Sequence, residues 1–376
     1  MLRLYTLSIL LHAYVALRVV PDLPRVPAAA VLALVAASAV LAPLGMRARR
    51  ASRTGLAHAI AYGGLVAIGL FSSLVVLTLA RDAVLAIAWV AHALGAAAIE
   101  LATLRQASAI AVPTLAVAFT AIGFYNARRR ARIKNVDVPI ENLPTALHGF
   151  TIAQISDVHI GPTIRGEYLA AVVDAVNELE PDLIAVTGDL VDGSVREVAP
   201  QLRSLSRLAA RHGAYFVTGN HEYYSGAAAW IAELERLGLS VLMNEHVVVD
   251  HDGAAMVVGG VTDYGAHHFD PRQRSDPAAA IAGAPAHAAV KVLLAHQPRS
   301  AFKAEPAGFD LQLSGHTHGG QFLPWNFFVR LQQPFTAGLH RLGRLWVYVS
   351  RGTGYWGPPK RLGAPSEITA LRLVAA

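Results

Sequence analysis

The chain has 376 residues, 54% of them hydrophobic and only 15% charged, with a mean hydropathy of +0.40. An average soluble domain carries about a quarter charged residues, so this balance argues against an ordinary cytosolic protein, and the length allows two or three domains. The absence of cysteine excludes disulfide scaffolds, thiolate metal sites, iron–sulfur clusters and cysteine nucleophiles.

Charge divides the chain in two. Residues 1–135 carry 14 Lys and Arg against three acids (Asp22, Asp82 and Glu100), for +11, while the remainder carries 18 basic and 23 acidic residues, for −5. The isoelectric point of 9.7 is therefore a property of the first third. There arginines flank apolar runs, which points to membrane topology and away from nucleic acid binding.

Apolar runs recur at about 5–20, 27–46, 55–80, 83–99 and 107–125. A helix crossing the hydrocarbon core needs about 20 apolar residues. The second, third and fifth runs are long enough; the first and fourth are marginal. Five runs in succession exclude a cleaved signal peptide. The run Gly55–Ala80, interrupted only by His58, Ser72, Ser73 and Thr78, lacks the polar face that a soluble bundle requires. Residues 1–127 are thus expected to form a transmembrane region of four or five helices, in a multi-pass cell-membrane protein whose partner is the lipid bilayer. Two basic clusters stand out: Arg47, Arg49, Arg50 and Arg53, then Arg128, Arg129, Arg130, Arg132 and Lys134. The positive-inside tendency places both in the cytoplasm, which requires an even number of crossings between them, yet three apolar runs lie there. The side on which the second half lies stays open. His12, His58, His92 and Glu100 sit singly or near run ends, as residues of helix packing or snorkelling do.

Residues 128–149 turn polar and read as a basic linker. From residue 150 to 376, short β-branched runs alternate with amphipathic stretches. Strands are expected at FTIAQIS, DLIAVTGD and AYFVTGN, and helices at GEYLAAVVDAVNELE, LRSLSRLAARHG and AAAWIAELERLG. Strand–helix alternation indicates an α/β domain with crossover connections. The later runs SVLMN, EHVVVD, AAMVVGGV, VKVLLAH, DLQLSGH, LWVYVS and EITALRLV are dense enough to suggest two packed sheets.

Five of these strands run apolar and then stop at metal-capable side chains. They end at Asp157 and His159, at Asp189, at Asn220 and His221, at His296, and at His316 and His318. Ligands collect beyond the carboxyl ends of strands in α/β sheets, so the five loops are expected to converge. Gly161, Gly188, Gly219, Gly315, Gly319 and Gly320 flank the same positions and permit close backbone approach. His251, His267, His268, His287 and His340 belong to no such pattern and are assigned to surface or structure. Asp192, Glu222, Tyr223, Tyr224 and Asp263 carry weaker claims as site-lining or turn residues, and Trp325 and Trp356 as loop aromatics for an apolar substrate part, a membrane surface or plain packing.

The ordered set SDVHIG, GDLVDG, GNHEYY, LLAHQP and SGHTHGGQ resembles the calcineurin-like metallophosphoesterase superfamily, from about Phe150 to the C-terminus. Together with apolar N-terminal runs and the tail YVSRGTGYWGPPKRLGAPSEI, it is similar to the membrane-associated YaeI/YkuE-type subgroup; Ser366 stands where a proline is expected before the Glu. The resemblance implies an α/β/β/α sandwich of two mixed sheets and two divalent metal ions: Mn, Fe or Zn. It implies one metal on Asp157, His159 and His318, a second on Asn220, His296 and His316, and Asp189 bridging them, because two nearby dications need a shared carboxylate to screen their repulsion. A metal-activated hydroxide then attacks phosphorus, with His221 stabilising the transition state or protonating the leaving oxygen. The implied substrate is a phosphodiester or pyrophosphate, with a lipid-linked one such as a UDP-diacylglucosamine-type lipid A precursor as the specific expectation. A phosphomonoesterase and a non-catalytic membrane sensor or scaffold are the alternatives.

Overall fold

The computed structural model describes residues 2–51, 55–95 and 100–376. Arg53 of the first basic cluster and the side chains of Arg49 and Arg50 lie outside the described residues. The chain forms two units: Met1–Arg128 with Gly357–Leu362, and Arg129–Trp356 with Gly363–Ala376.

The first unit contains helices α1 (Leu2–Val19), α2 (Arg25–Ala51), α3 (Gly55–Ala93) and α4 (Leu101–Arg128). Of these, α2, α3 and α4 are long and apolar enough to cross a membrane. The third and fourth apolar runs are not separate helices. They fuse into α3, whose 39 residues extend about 58 Å at 1.5 Å per residue. Arg81 and Asp82, which divide the runs in sequence, do not break the helix because both find partners in the bundle. Arg81 donates to Asp22, to the Arg18 carbonyl (2.6 Å) and to Ser108 Oγ (3.0 Å). Asp82 accepts from Tyr14 (2.8 Å) and Arg18 (2.9 Å).

This fusion lowers the count of long apolar segments between the basic clusters from three to two. Two long helices, α3 and α4, separate the two basic clusters. Arg128 at the end of α4 donates to Tyr62 near the start of α3, so the helices run antiparallel. Backbones of α2 and α3 approach closely where a Cβ on Gly45 or Gly64 would overlap the other helix, the small-residue contact favoured between helices in lipid. His12 is buried, hydrogen-bonded to Ser38 (3.0 Å) and stacked on Phe71, a packing role.

The second unit has twelve strands: β1 (Arg132–Ile140), β2 (Thr151–Ile155), β3 (Leu183–Val186), β4 (Ala214–Phe216), β5 (Ser240–Val241), β6 (Glu245–His251), β7 (Ala254–Gly260), β8 (Val290–Leu294), β9 (Leu311–Ser314), β10 (Gly338–Leu342), β11 (Leu345–Val349) and β12 (Glu367–Ala375). They form two six-stranded sheets, ordered β1-β12-β2-β3-β4-β5 and β10-β11-β9-β8-β7-β6. Both are mixed: β2 through β5 are parallel while β12 runs antiparallel to β2, and β7, β8, β9 and β11 are parallel with antiparallel β6 and β10 at the edges. Ile152, Leu183 and Leu371 of one sheet and Val258, Val292, Leu313 and Tyr348 of the other share one buried apolar cluster. The expected two-sheet architecture is present. Helices α5 (Gly166–Asn177), α6 (Asn220–Ser225), α7 (Ala227–Arg236) and α8 (Trp325–Phe328) are among those that connect the strands.

Two local expectations change. The segment 128–149, read as a linker, contributes β1, a full nine-residue partner of β12. Its polar sequence RIKNVDVPI fits an edge strand, where charges and a proline deter further pairing, and Arg372 of β12 clasps Asp137 through two bonds of 2.9 Å. The segment LRSLSRLAARHG is not an α-helix but a short 3-10 stretch, Arg203–Arg207. Leu202 and Leu205 reach the core with the i, i+3 spacing that one 3-10 turn satisfies.

Candidate metal centre

Each of five parallel strands delivers its site residues just past its carboxyl end. Beyond β2 come Asp157 and His159; beyond β3, Asp189; beyond β4, Asn220 and His221 at the start of α6. Beyond β8 comes His296, and beyond β9 come His316 and His318. Among the described residues the aspartates and histidines of this set converge into three overlapping groups, each with ligand atoms within 4.8 Å of one another: Asp157–His159–His318, His159–Asp189–His221, and Asp189–His296–His316. Asp189 is common to the last two. Its Oδ2 lies 3.2 Å from His296 Nε2, 3.8 Å from His159 Nε2 and 3.9 Å from His221 Nε2.

The backbone is bent to make this possible. Asp157, His159, Asp189, His316 and His318 all have φ between 51° and 69°, a left-handed conformation that costs a side-chain-bearing residue about 1 kcal/mol or more. Five such residues at one spot mark a place where geometry overrides backbone preference. Gly219 and Gly315 complete the cradle, because a Cβ on either would collide with Asp189 or Asp157.

Hydrogen bonds fix which ring nitrogen faces inward. His296 Nδ1 lies 2.7 Å from the Thr187 carbonyl, which only accepts, so Nδ1 carries the proton and Nε2 is left for the centre. His159 Nδ1 likewise donates to Asp192 (3.3 Å) and His221 Nδ1 to the same carboxylate (2.5 Å). Inward-facing nitrogens then meet one another: His159 and His318 Nε2 are 3.0 Å apart, and His316 Nδ1 is 3.2 Å from His296 Nε2. A histidine that donates its outer N–H to a carboxylate or carbonyl while turning its other nitrogen inward is the usual arrangement around a metal.

The charges point the same way. Burial opposes ionisation of Asp189, yet His296, His221 and His159 overcome it and hold the carboxylate well below its ordinary range. Burial likewise opposes charge on His221, but Asp189 and the bond to Asp192 raise it to about 9. For His316, burial and the neighbouring His296 act together and lower it to about 3, which keeps it neutral. A buried carboxylate that draws its neighbours toward positive charge is suited to a cation. Asn220 Oδ1 is buried without a hydrogen-bond partner, the next residue's backbone N–H donates to Asp189 (2.8 Å), and an unpartnered amide oxygen is a hard donor that suits a divalent metal. The residues therefore fit a metal centre.

Residue signals differ in strength. Glu222 is wholly buried and accepts from the backbone N–H groups of Gly219 (2.7 Å), Leu190 (2.8 Å) and Asp189 (2.9 Å), so it pins two of the site loops together. Its place three residues after Gly219 gives the capping-box spacing at the start of α6. Ser156, whose hydroxyl donates to Asp157 Oδ2 (2.6 Å), carries no sequence signal beyond adjacency. Asp263 is buried and accepts from Gln297 (3.0 Å) and the Gly265 N–H (2.8 Å). Trp356 and Tyr224 stand with ring centroids 6.0 and 5.2 Å from His221, while Trp325 packs on Phe328 in α8. His251 pairs with His212 (2.9 Å), a structural role.

The calcineurin-like phosphoesterase family profile matches residues 150–320. An uncharacterized metallophosphoesterase of Aquifex aeolicus is 31% identical over 64% of this chain and 91% of its own length. YkuE of Bacillus subtilis, also described as an uncharacterized metallophosphoesterase, is 32% identical over 61% of this chain and 81% of its own. The chain belongs to the calcineurin-like metallophosphoesterase family. A bovine transmembrane protein with metallophosphoesterase domain is 39% identical over 73% of this chain. The match spans 63% of that relative, about three fifths of its length. With three bilayer-length helices, this metallophosphoesterase is membrane-associated.

Proposed function

We propose that the protein is a multi-pass cell-membrane phosphoesterase that hydrolyses a phosphodiester or pyrophosphate bond with two divalent metals. The single observation that supports it most is Asp189, shared between ligand groups on either side and within reach of three histidines. Asp157, His159 and His318 would hold one ion, Asn220, His296 and His316 the other, with Asp189 between them; the donor set suits Mn, Fe or Zn. When bound, the ions supply an acidified water and neutralise charge on the phosphoryl oxygens.

The chain's own groups do the rest. Asp192 fixes the His221 ring through Nδ1, so the proton available for a leaving oxygen sits on Nε2, beside Asp189. A histidine held in this orientation can hand that proton to the departing oxygen. Ser156 and the His316 backbone N–H (3.0 Å) both donate to Asp157, which orients its remaining lone pairs. Tyr224, Phe269 and Trp356 are exposed large apolar side chains, and Tyr224 and Trp356 flank His221. They support a substrate with an apolar part, and a UDP-diacylglucosamine-type lipid A precursor, cleaved at its pyrophosphate, is the first candidate.

The test uses the full chain in detergent, stripped of metal and reloaded with Mn²⁺. It compares a chromogenic diester, a chromogenic monoester and the lipid pyrophosphate, with Asp189→Asn and His221→Ala as controls. Metal-dependent turnover of the diester and lipid is expected, lost for both in Asp189→Asn and most strongly for the lipid in His221→Ala, because a chromogenic leaving group needs little protonation. Monoester turnover alone would reassign the enzyme as a phosphomonoesterase, and no turnover despite bound metal would favour a sensor or scaffold.

A further inference from the structure

Exposed large apolar side chains are unevenly distributed in the catalytic unit. Leu323, Trp325, Phe327, Phe328 and Leu331 fall within nine consecutive residues, with Phe327 70% and Leu331 81% exposed. The segment comprises α8 and the 3-10 turn Val329–Leu331 after it. We propose that residues 323–331 form a bilayer-docking edge that seats the metal-ligand loop 315–322 at the lipid surface.

The segment is rigidly joined to that loop. The backbone of Asn326 packs into the space that a Cβ on Gly320 would fill. Gln321 donates to the Trp356 carbonyl (2.9 Å) and accepts from the Trp356 N–H (2.8 Å), and Phe322 pairs as an isolated bridge with Gly363. Trp356 and Gly363 bracket the residues 357–362 that belong to the helical unit.

Several features identify the occupant as lipid. The chain passes from α4, a bilayer-length helix, to β1 through residues 129–131, a tether of about 14 Å at most, so a bilayer is always within short reach. Around that connection Arg128, Arg129, Arg130 and Arg132 are exposed, and basic residues at a membrane boundary attract anionic headgroups. The segment combines Trp, Phe and Leu with Arg330, a composition that settles at the headgroup–acyl boundary. A catalytic unit holding its ligand loop there meets a lipid-borne phosphate without drawing the acyl chains into water; that consequence rests on the hydrolase reading, whereas docking does not.

The chain has no cysteine, so Phe327→Cys in the full-length protein takes a single polarity-sensitive label. Arg272→Cys, at a side chain 89% exposed, is the control. Both are reconstituted into phosphatidylcholine–phosphatidylglycerol vesicles containing nitroxide-labelled lipid. The label at 327 is expected to shift to the blue and be quenched by the nitroxides, and the label at 272 to do neither. Equal behaviour at the two positions would overturn the proposal. A shift that grows with protein concentration in lipid-free detergent would overturn it in favour of contact with a second copy. A Phe327→Ser, Phe328→Ser, Leu331→Ser variant is expected to lose turnover of vesicle-embedded lipid pyrophosphate and keep that of a soluble diester. Loss of both would contradict a docking role. Failure of the unmodified protein to hydrolyse any substrate would count against the hydrolase reading alone, because the label reports docking without turnover.

Discussion

The two units treat buried polar groups in opposite ways. Among the described residues of the helical unit, the clusters around Arg81, Asp82 and His12 are closed on themselves: Arg81 meets Asp22, Ser108 and a carbonyl, Asp82 meets Tyr14 and Arg18, and His12 meets Ser38. In the catalytic unit the polar groups past the strand ends face inward on one another, their outer atoms are anchored, and Asn220 Oδ1 has no partner. Burying polar groups costs free energy in either place. Closed clusters recover it within the fold, whereas an open, strained, convergent cluster recovers it on binding something. The distinction separates structural from functional ionisable residues better than residue type does, since arginine, aspartate and histidine occur in both units.

Substitutions can break or sharpen that comparison. The largest effect is expected from Asp189→Asn, which removes the charge shared by two ligand groups. Turnover should fall by at least about 10³-fold, the scale of losing a main electrostatic stabiliser of a transition state, together with loss of bound metal by elemental analysis. Next comes His221→Ala, with a loss of about 10²–10⁴-fold typical of general acid catalysis. Its loss should shrink on nitrophenyl esters, whose leaving group needs no proton, and an equal loss on poor and good leaving groups would count against the acid role. Asp192→Asn acts on the centre through His159 and His221, so a smaller loss of about 10–100-fold is expected, with metal still bound. The smallest effect on chemistry is expected from Arg81→Leu in the helical unit. Leaving Asp22 and Asp82 without this partner should cost about 3 kcal/mol of stability, read as earlier denaturant-induced loss of helix, while turnover per folded molecule in detergent stays unchanged.

The same contrast explains what was legible in the sequence. The convergent cluster could be read residue by residue, because each strand end that supplies it follows an apolar run and a glycine marks the turn beside every one but His296. The two-sheet architecture followed from strand density, with β1 and β10 missed because edge strands carry charge and polar residues where central strands carry Val and Ile. Glu222 was visible only as one of several weak candidates, since its role as a backbone clamp across two loops depends on contacts that adjacency does not encode. In the helical unit, composition located the apolar runs but not their number. Arg81 and Asp82 look like a helix boundary in sequence and become interior residues once Asp22, Arg18 and Tyr14 surround them. Tertiary pairing supplied information that a hydropathy profile lacks.

The central claim is that the convergent cluster takes two cations through a shared Asp189. It is tested most directly by titrating metal-free full-length protein with Mn²⁺ and following bound metal per chain and turnover of a diester together. The account predicts two ions per chain, turnover that appears with the second, and neither property in Asp189→Asn. Full turnover with one ion, or with none, would contradict it.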